Sequence, residues 1–560
     1  MKKFTALSVF FLYLSIYLIF SNQRITTSMD VDVIRHATDW IESGSYGSEM
    51  KLSAGVSFSP ETGKFYPQEG IGIVAPAAVF VYLSDLLSKD SGFVLFTFNQ
   101  VFSALSVMLM FLILAAFLSG RKAFFYASLF GLATPLFVHS KYFLPEPLTL
   151  LAITLSIYFL VRFKKEKRSL FIFFAGLSAS YSLLTRPDAP LFAGIFFLLS
   201  LYMILRSEKL LLVRNTIFLI LGFSVFSAVF VISNYHRYGS ITETGYTLDR
   251  NEVKSALEKS IPAAYEKAVK AYQEDESSRE TAILVRKFQD QQKYLEETEK
   301  ILSEYGQKST AFYTNGFMNF MHGIYLILFS PNRSVFLLSP FLLIMLISSV
   351  GSYKKFKVEF ILSGIMISSY LILYALRAPL SYAGSAAWGI RYMLPVYPVL
   401  FLSAVLFERS EFSNKVNVKR IFYSLCIISV IFQLAGSGVN YQSVQMPLEY
   451  KSKQIFGEED MTWAHESRKS MMTDFSSSLL LNNTRIMLGN LTPEQKAYGV
   501  ESGPNDWFFL QVIKGEGMLL RGKEHLIGSF KLLFFLILLT LGGSAYYIYV
   551  SLFKPAAKKI

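Results

Sequence analysis

Cysteine is nearly absent: Cys426 is the single one in 560 residues. A disulfide scaffold is excluded, and so is a zinc site built on thiolates. Cys426 stands inside an apolar run and reads as a small core residue. Charge is also scarce. Asp, Glu, Lys and Arg make up 17% of the chain, against about 25% in soluble domains. Much of the surface must therefore face something other than water. The 52% hydrophobic content excludes a disordered chain. The six histidines (36, 139, 236, 322, 465 and 525) are scattered and suggest no imidazole metal site. No metal ligand set is expected, although a carboxylate-bound divalent cation stays open. There is no internal repeat and no basic–aromatic motif of a nucleic-acid binder. The net charge of +13 needs another explanation.

Long apolar runs supply it. A run of about 17 to 25 apolar residues crosses a bilayer. Twelve stretches qualify: 4–21, 93–119, 123–139, 144–161, 169–185, 188–205, 212–233, 334–351, 358–376, 391–407, 421–437 and 529–553. The first follows Lys2 and Lys3 but lacks a small-residue cleavage site, which favours an uncleaved helix over a signal peptide. Lys and Arg collect in alternate connections, such as Arg121-Lys122, Arg162 to Arg168, Lys354 to Lys357 and Arg409 to Arg420. Short cytoplasmic loops gather such residues. Both termini are thus expected in the cytoplasm. The expected fold class is an all-α polytopic membrane protein with about twelve transmembrane helices.

Three long stretches then fall outside: about 22–92, 234–333 and 438–528. Within the second, about 250–312 is rich in charge with apolar residues at three- and four-residue steps, an amphipathic helical insertion. Residues 1–437 read as one membrane module. Residues 438–528 read as an extracytoplasmic domain of unknown role, and 529–560 as a last helix with a basic tail.

The spans are clean, and their ionisable residues stand at the outer ends. Asp30 and Asp32 precede a candidate surface helix, where they could cap it or act chemically. Lys141, Tyr142 and Glu146 occupy a turn, where Lys and Glu could simply pair. Arg186, Arg333 and Arg391 stand where topology does not favour cations. Tyr382, Trp388 and Tyr392 could be interfacial aromatics or stacking surfaces. Several isolated cations on one face suit an anionic ligand, because Arg and Lys bind phosphate well.

In order and spacing over residues 1–410 the chain resembles the GT-C glycosyltransferases that use polyprenyl-phosphate sugars, the superfamily of aminoarabinose transferases and protein O-mannosyltransferases. The residues that carry the resemblance are Asp30 with Arg35, Lys141-Tyr142 before Pro145-Glu146-Pro147-Leu148, and Leu183-Leu184-Thr185-Arg186-Pro187. They continue with Asn234 to Ser240 (including Arg237) before Thr244-Gly245-Tyr246, Leu328-Phe329-Ser330-Pro331, and Trp388-Gly389-Ile390-Arg391-Tyr392. The resemblance implies an inverting sugar transfer to an envelope glycan, lipid or protein acceptor at the periplasmic face of a bacterial inner membrane. It implies a general base among Asp30 and Asp32, with Asp30 favoured by its spacing to Arg35. Glu146 is implied in positioning. Arg35, Lys141, Tyr142, Arg186, Arg237, Arg333, Tyr382, Trp388, Arg391 and Tyr392 are implied as donor-phosphate or substrate contacts. The alternatives are a flippase or transporter, and a ligase or polymerase of lipid-linked glycans. No nucleic acid is expected.

The topology has a direct test. Reporter fusions at Lys165, Lys355 and Lys415 should read cytoplasmic, and fusions at Ser45, Asp275 and Glu466 external. A cytoplasmic readout at Asp275 would invert the sidedness.

Overall fold

The computed structural model describes residues 2–23, 28–48, 56–68, 70–88, 92–206, 209–244, 316–330, 334–351, 357–381, 388–389, 391–439, 443–444, 447, 451, 478–497, 500, 507–514 and 524–553. The expected insertion at 250–312, Arg333, Tyr382 and much of 438–528 lie outside the described residues.

The described chain is overwhelmingly helical. Its helices are α1 (Lys2–Phe20), α2 (Ser28–Ser43), α3 (Ile71–Ser88), α4 (Phe98–Leu114), α5 (Gly120–Leu132), α6 (Leu136–His139) and α7 (Glu146–Glu166). They continue as α8 (Ser169–Leu183), α9 (Ala189–Leu205), α10 (Lys209–Tyr238), α11 (Gly316–Phe329), α12 (Val335–Leu338), α13 (Phe341–Gly351) and α14 (Lys357–Ser381). After the 3-10 turn Arg391–Val396 come α15 (Tyr397–Arg409), α16 (Val416–Gly438), α17 (Leu479–Met487), α18 (Pro493–Ala497), α19 (Phe508–Lys514) and α20 (Ile527–Ile548). One small hairpin pairs β1 (Val56–Phe58) antiparallel to β2 (Phe65–Pro67).

Among the described residues six helical stretches are long and apolar enough to cross a membrane: Leu95–Leu114, Glu146–Glu166, Leu211–Tyr238, Arg391–Arg409, Val416–Gly438 and Ile527–Phe553. Shorter apolar helices accompany them. This composition marks a membrane protein, and the twelve-span count remains an expectation. The expected run 123–139 is two helices, because Thr134-Pro135 interrupts it. The run 334–351 is split at Ser339-Pro340. Proline lacks the N–H that an unbroken helix needs. Two apolar helices arise where loops were expected. One is α3, which carries Pro76 internally. The other is α11, only 14 residues long.

The helices share two chemically different ends. At one end Arg121 Nε donates to Leu552 O at 2.6 Å, Lys122 pairs with Glu408, and Lys165 Nζ donates to Ala116 O. The ends of α4, α7, α15 and α20 therefore meet the start of α5 in a basic layer. The opposite end gathers the starts of α2, α7 and α9 and the ends of α8, α10, α14 and α16.

Close packing of α8 on α10 depends on missing side chains. A Cβ at Gly222 would lie 2.1 Å from Phe173 O, and one at Gly176 would lie 2.8 Å from Leu219 O. Small residues let membrane helices approach this closely. On its outer side α10 exposes Val213, Ile217, Leu221 and Ile232, as a lipid-facing helix would. Gly222→Ala should cost about 1–3 kcal/mol by overpacking and lower the melting temperature in detergent. Gly194→Ala on α9, where a Cβ meets nothing within 4 Å, should be neutral or slightly stabilising.

Candidate functional site

The polar end of the bundle holds a buried ionic cluster. Glu146 opens α7, Arg186 and Asp188 occupy the turn between α8 and α9, and Arg391 opens the 3-10 turn before α15. All four are buried. Arg186 uses every nitrogen. Its Nε donates to Asp188 Oδ1 at 2.7 Å, one terminal nitrogen pairs with Glu146 Oε1, and the other donates to Tyr374 Oη at 3.2 Å. Arg391 Nε lies 3.6 Å from the same Glu146 oxygen, and its Nη2 donates to Tyr392 Oη at 3.1 Å. The Tyr392 ring lies under both guanidiniums, 5.1 Å from Arg186 Cζ and 4.9 Å from Arg391 Cζ. It stacks on Tyr374 at 5.1 Å with planes 11° apart.

The cluster is charge-balanced, with two cations and two carboxylates. Each carboxylate holds a cation that would otherwise be buried alone at a cost of several kcal/mol. Glu146 Oε2 has no hydrogen-bond partner among the described residues. An oriented, buried carboxylate oxygen is thus available at the start of α7.

Asp30 and Asp32 are both buried, on the first turns of α2. The sequence reading put them ahead of the helix. The helix in fact begins at Ser28, a residue type favoured at helix starts. Asp30 Oδ1 accepts the Phe143 backbone N–H at 3.1 Å. That bond ties α2 to the 140–145 segment leading into Glu146. Asn99 Nδ2 supports the same segment by donating to Tyr142 O and, at 2.8 Å, to Leu144 O.

His36 lies one helical turn beyond Asp32. Its Nδ1 donates to Tyr46 O at 2.7 Å. Burial holds its pKa below the ordinary imidazole value, and the Tyr46 carbonyl only partly offsets this.

Several expected substrate contacts have structural partners instead. Lys141 Nζ donates to Ser437 O at 2.8 Å and Val439 O at 3.1 Å, so it caps the C-terminal end of α16. Trp388 is buried, not presented as a platform. Its Nε1 donates to Gln433 Oε1 at 3.0 Å, and Gln433 Nε2 donates to Leu338 O at 3.1 Å. Tyr142 is buried, with its carbonyl held by Asn99. Arg35 is exposed and pairs with Asp39 at 2.9 Å, one turn along α2. Arg237 is buried near the end of α10 and bonded to Asn234. It shares a small cavity with Arg186 and Thr244.

Sequence reasoning passed over Asp188, Tyr374 and His139 as site residues. Asp188 was visible two residues from Arg186, and Tyr374 as a polar aromatic near the end of a span. His139 Nε2 donates to Trp388 O at 2.9 Å, which leaves its Nδ1 as a buried acceptor without a partner among the described residues. Among the described residues no three His, Cys, Asp or Glu side chains converge to hold a metal ion.

No protein-family model matches the sequence, and no curated relative matches it. Among solved structures the chain is similar to an Archaeoglobus fulgidus oligosaccharyltransferase in complex with zinc and sulfate. The identity is 12% and the TM-score 0.42, over 85% of this chain. The chain spans 58% of that protein's length.

Two outcomes test these roles. Lys141→Met should strand the α16 carbonyls, cost about 1–3 kcal/mol and lower thermal stability. A stable Lys141→Met protein would remove the capping role. His36 has a depressed folded pKa, so its contribution is present above the ordinary imidazole value and lost as pH falls through its lower folded value. Acid unfolding should therefore be shallower in His36→Gln than in the parent.

Proposed function

We propose that the protein is a polytopic membrane glycosyltransferase of GT-C type. It moves a sugar from a polyprenyl-phosphate donor to a hydroxyl acceptor of the cell envelope, at the outer face of a bacterial inner membrane. The observation that supports this best is the direct bond from Asp30 to the segment that carries Glu146. It ties the expected base to the same end of the bundle that holds two buried arginines.

In this reading the Phe143 N–H holds one oxygen of Asp30 and so orients its carboxylate. Asp30 takes the proton of the acceptor hydroxyl. The freed oxygen forms a bond to the anomeric carbon from the side opposite the leaving group, and configuration inverts. The bond to the phosphate oxygen breaks, and the electron pair leaves with the polyprenyl phosphate. Arg391 turns from Glu146 toward that developing charge, while Arg186 keeps Glu146 paired. The Tyr392 ring lies within about 5 Å of both guanidinium carbons and offers each a cation–π contact. Asp32 is the alternative base.

Purified protein should release sugar from a polyprenyl-phosphate sugar and leave nucleotide sugars untouched. Turnover of a nucleotide sugar without a lipid carrier would refute the donor class. Arg391→Gln should lower turnover by about 10²–10³-fold, the usual cost of losing one stabiliser of developing charge.

Asp30→Asn keeps an oxygen for the Phe143 N–H and should cost about 1 kcal/mol of stability. It removes the base, so turnover should fall by about 10²-fold or more while donor binding persists. Asp32→Asn should be milder. The reverse order would transfer the role to Asp32, and near-normal turnover in both would reopen the flippase reading.

A further inference from the structure

A cavity of about 260 Å³ lies in the half of the bundle away from the ionic cluster. Ile157, Leu160, Phe196, Leu346, Met366 and Leu402 line it, from helices α7, α9, α13, α14 and α15. Its distance from the cluster follows from helix rise. Ile157 is roughly 17 Å along α7 from Glu146, and Lys164 roughly 27 Å.

The cavity suits hydrocarbon and not water. Two of its few polar groups, Ser349 and Ser403, donate within their own helices, to Met345 O at 2.8 Å and to Leu400 O. A buried water needs two to four polar partners, and apolar cavities of this order stay dry yet take small hydrocarbons. The walls are not sealed, because Leu346 and Leu402 remain partly exposed. A membrane chain can therefore enter from the side. At α14 there is spare room, since a Cβ on Gly364 meets nothing within 4 Å.

Charge at the mouth selects the head of the occupant. Lys164 lines the cavity and is exposed. Lys165, Glu166, Lys167 and Arg168 follow it in the chain, and Glu166 pairs with Arg162. We propose that this cavity is a lipid site that takes one acyl chain of an anionic glycerophospholipid, with its phosphate against Lys164. An isoprenoid donor fits less well, because its phosphate would belong at the far end of α7. The apolar site stands on its own lining, and the choice of a phospholipid over an isoprenoid rests on the glycosyltransferase reading.

Native mass spectrometry of the full chain in mild detergent tests this. The probes are palmitoyl-oleoyl phosphatidylglycerol, the matching phosphatidylcholine, and a polyprenyl monophosphate. One phosphatidylglycerol should be retained, with about fivefold preference over phosphatidylcholine, the effect of one cation at an anionic headgroup. Lys164→Gln should erase the preference but keep an adduct. Gly364→Leu and Gly364→Phe should remove the adduct progressively, and the smaller change keeps the test valid if the larger one misfolds. Full retention in a folded Gly364→Leu or Gly364→Phe protein would overturn the site. Equal retention of the two phospholipids would overturn the headgroup role. Displacement of phosphatidylglycerol by the polyprenyl monophosphate would overturn the phospholipid assignment and give the cavity to an isoprenoid chain.

Discussion

Two arginines and two carboxylates buried together at the helix ends set the arrangement of everything around them. A buried charge is tolerable only when it is paired and hydrogen-bonded. Glu146, Arg186, Asp188 and Arg391 meet that condition only if α7, the α8–α9 turn and the 3-10 turn before α15 stay in register. Tyr374 brings α14 into the same network. In lipid there is little hydrophobic drive between helices, so packing of small residues and polar bonds hold them in place. The ion pairs add to the close packing in holding this register.

A second set of bonds fastens the segment before Glu146. Asp30 holds its backbone at Phe143, Asn99 holds Tyr142 and Leu144, and Lys141 reaches across to the end of α16. The chain Trp388–Gln433–Leu338 ties α16 to the short helix α12. Gly436 lets the indole lie flat on α16, because a Cβ there would come within 2.5 Å of the ring. The 139–146 segment is thereby anchored from three sides.

The sequence exposed the division of the bundle into a basic end and a polar end, because loop cations and span-end acids alternate along the chain. It also exposed Arg186, Arg391 and Glu146, since an ionisable residue at a span end needs a partner. Their partnership was not legible, because the three are far apart in the chain and only packing brings them together. Lys141 looked like an anion ligand for the same reason that it works as a cap: both jobs need a cation in an apolar setting. The helix α3 hid behind Pro76, and α11 behind its short length and the polar residues Asn319 and His322. Trp388 looked interfacial because nothing in the sequence announced Gly436 as its floor.

Charge balance constrains how such a cluster could meet an anion. Two cations against two carboxylates leave no net attraction for a phosphate. Binding then requires one guanidinium to turn from carboxylate to ligand. Arg186 has all its nitrogens engaged and lies between Glu146 and Asp188, so releasing it would strand Asp188 and leave Glu146 only the longer contact to Arg391. Arg391 is separated from Glu146 by 3.6 Å, and Glu146 would keep Arg186 if Arg391 moved. The cost of moving Arg391 is therefore the smaller one. On this account Arg186 is the fixed point of the cluster and Arg391 its working cation, and Tyr392 beneath both rings keeps the second in reach of the first.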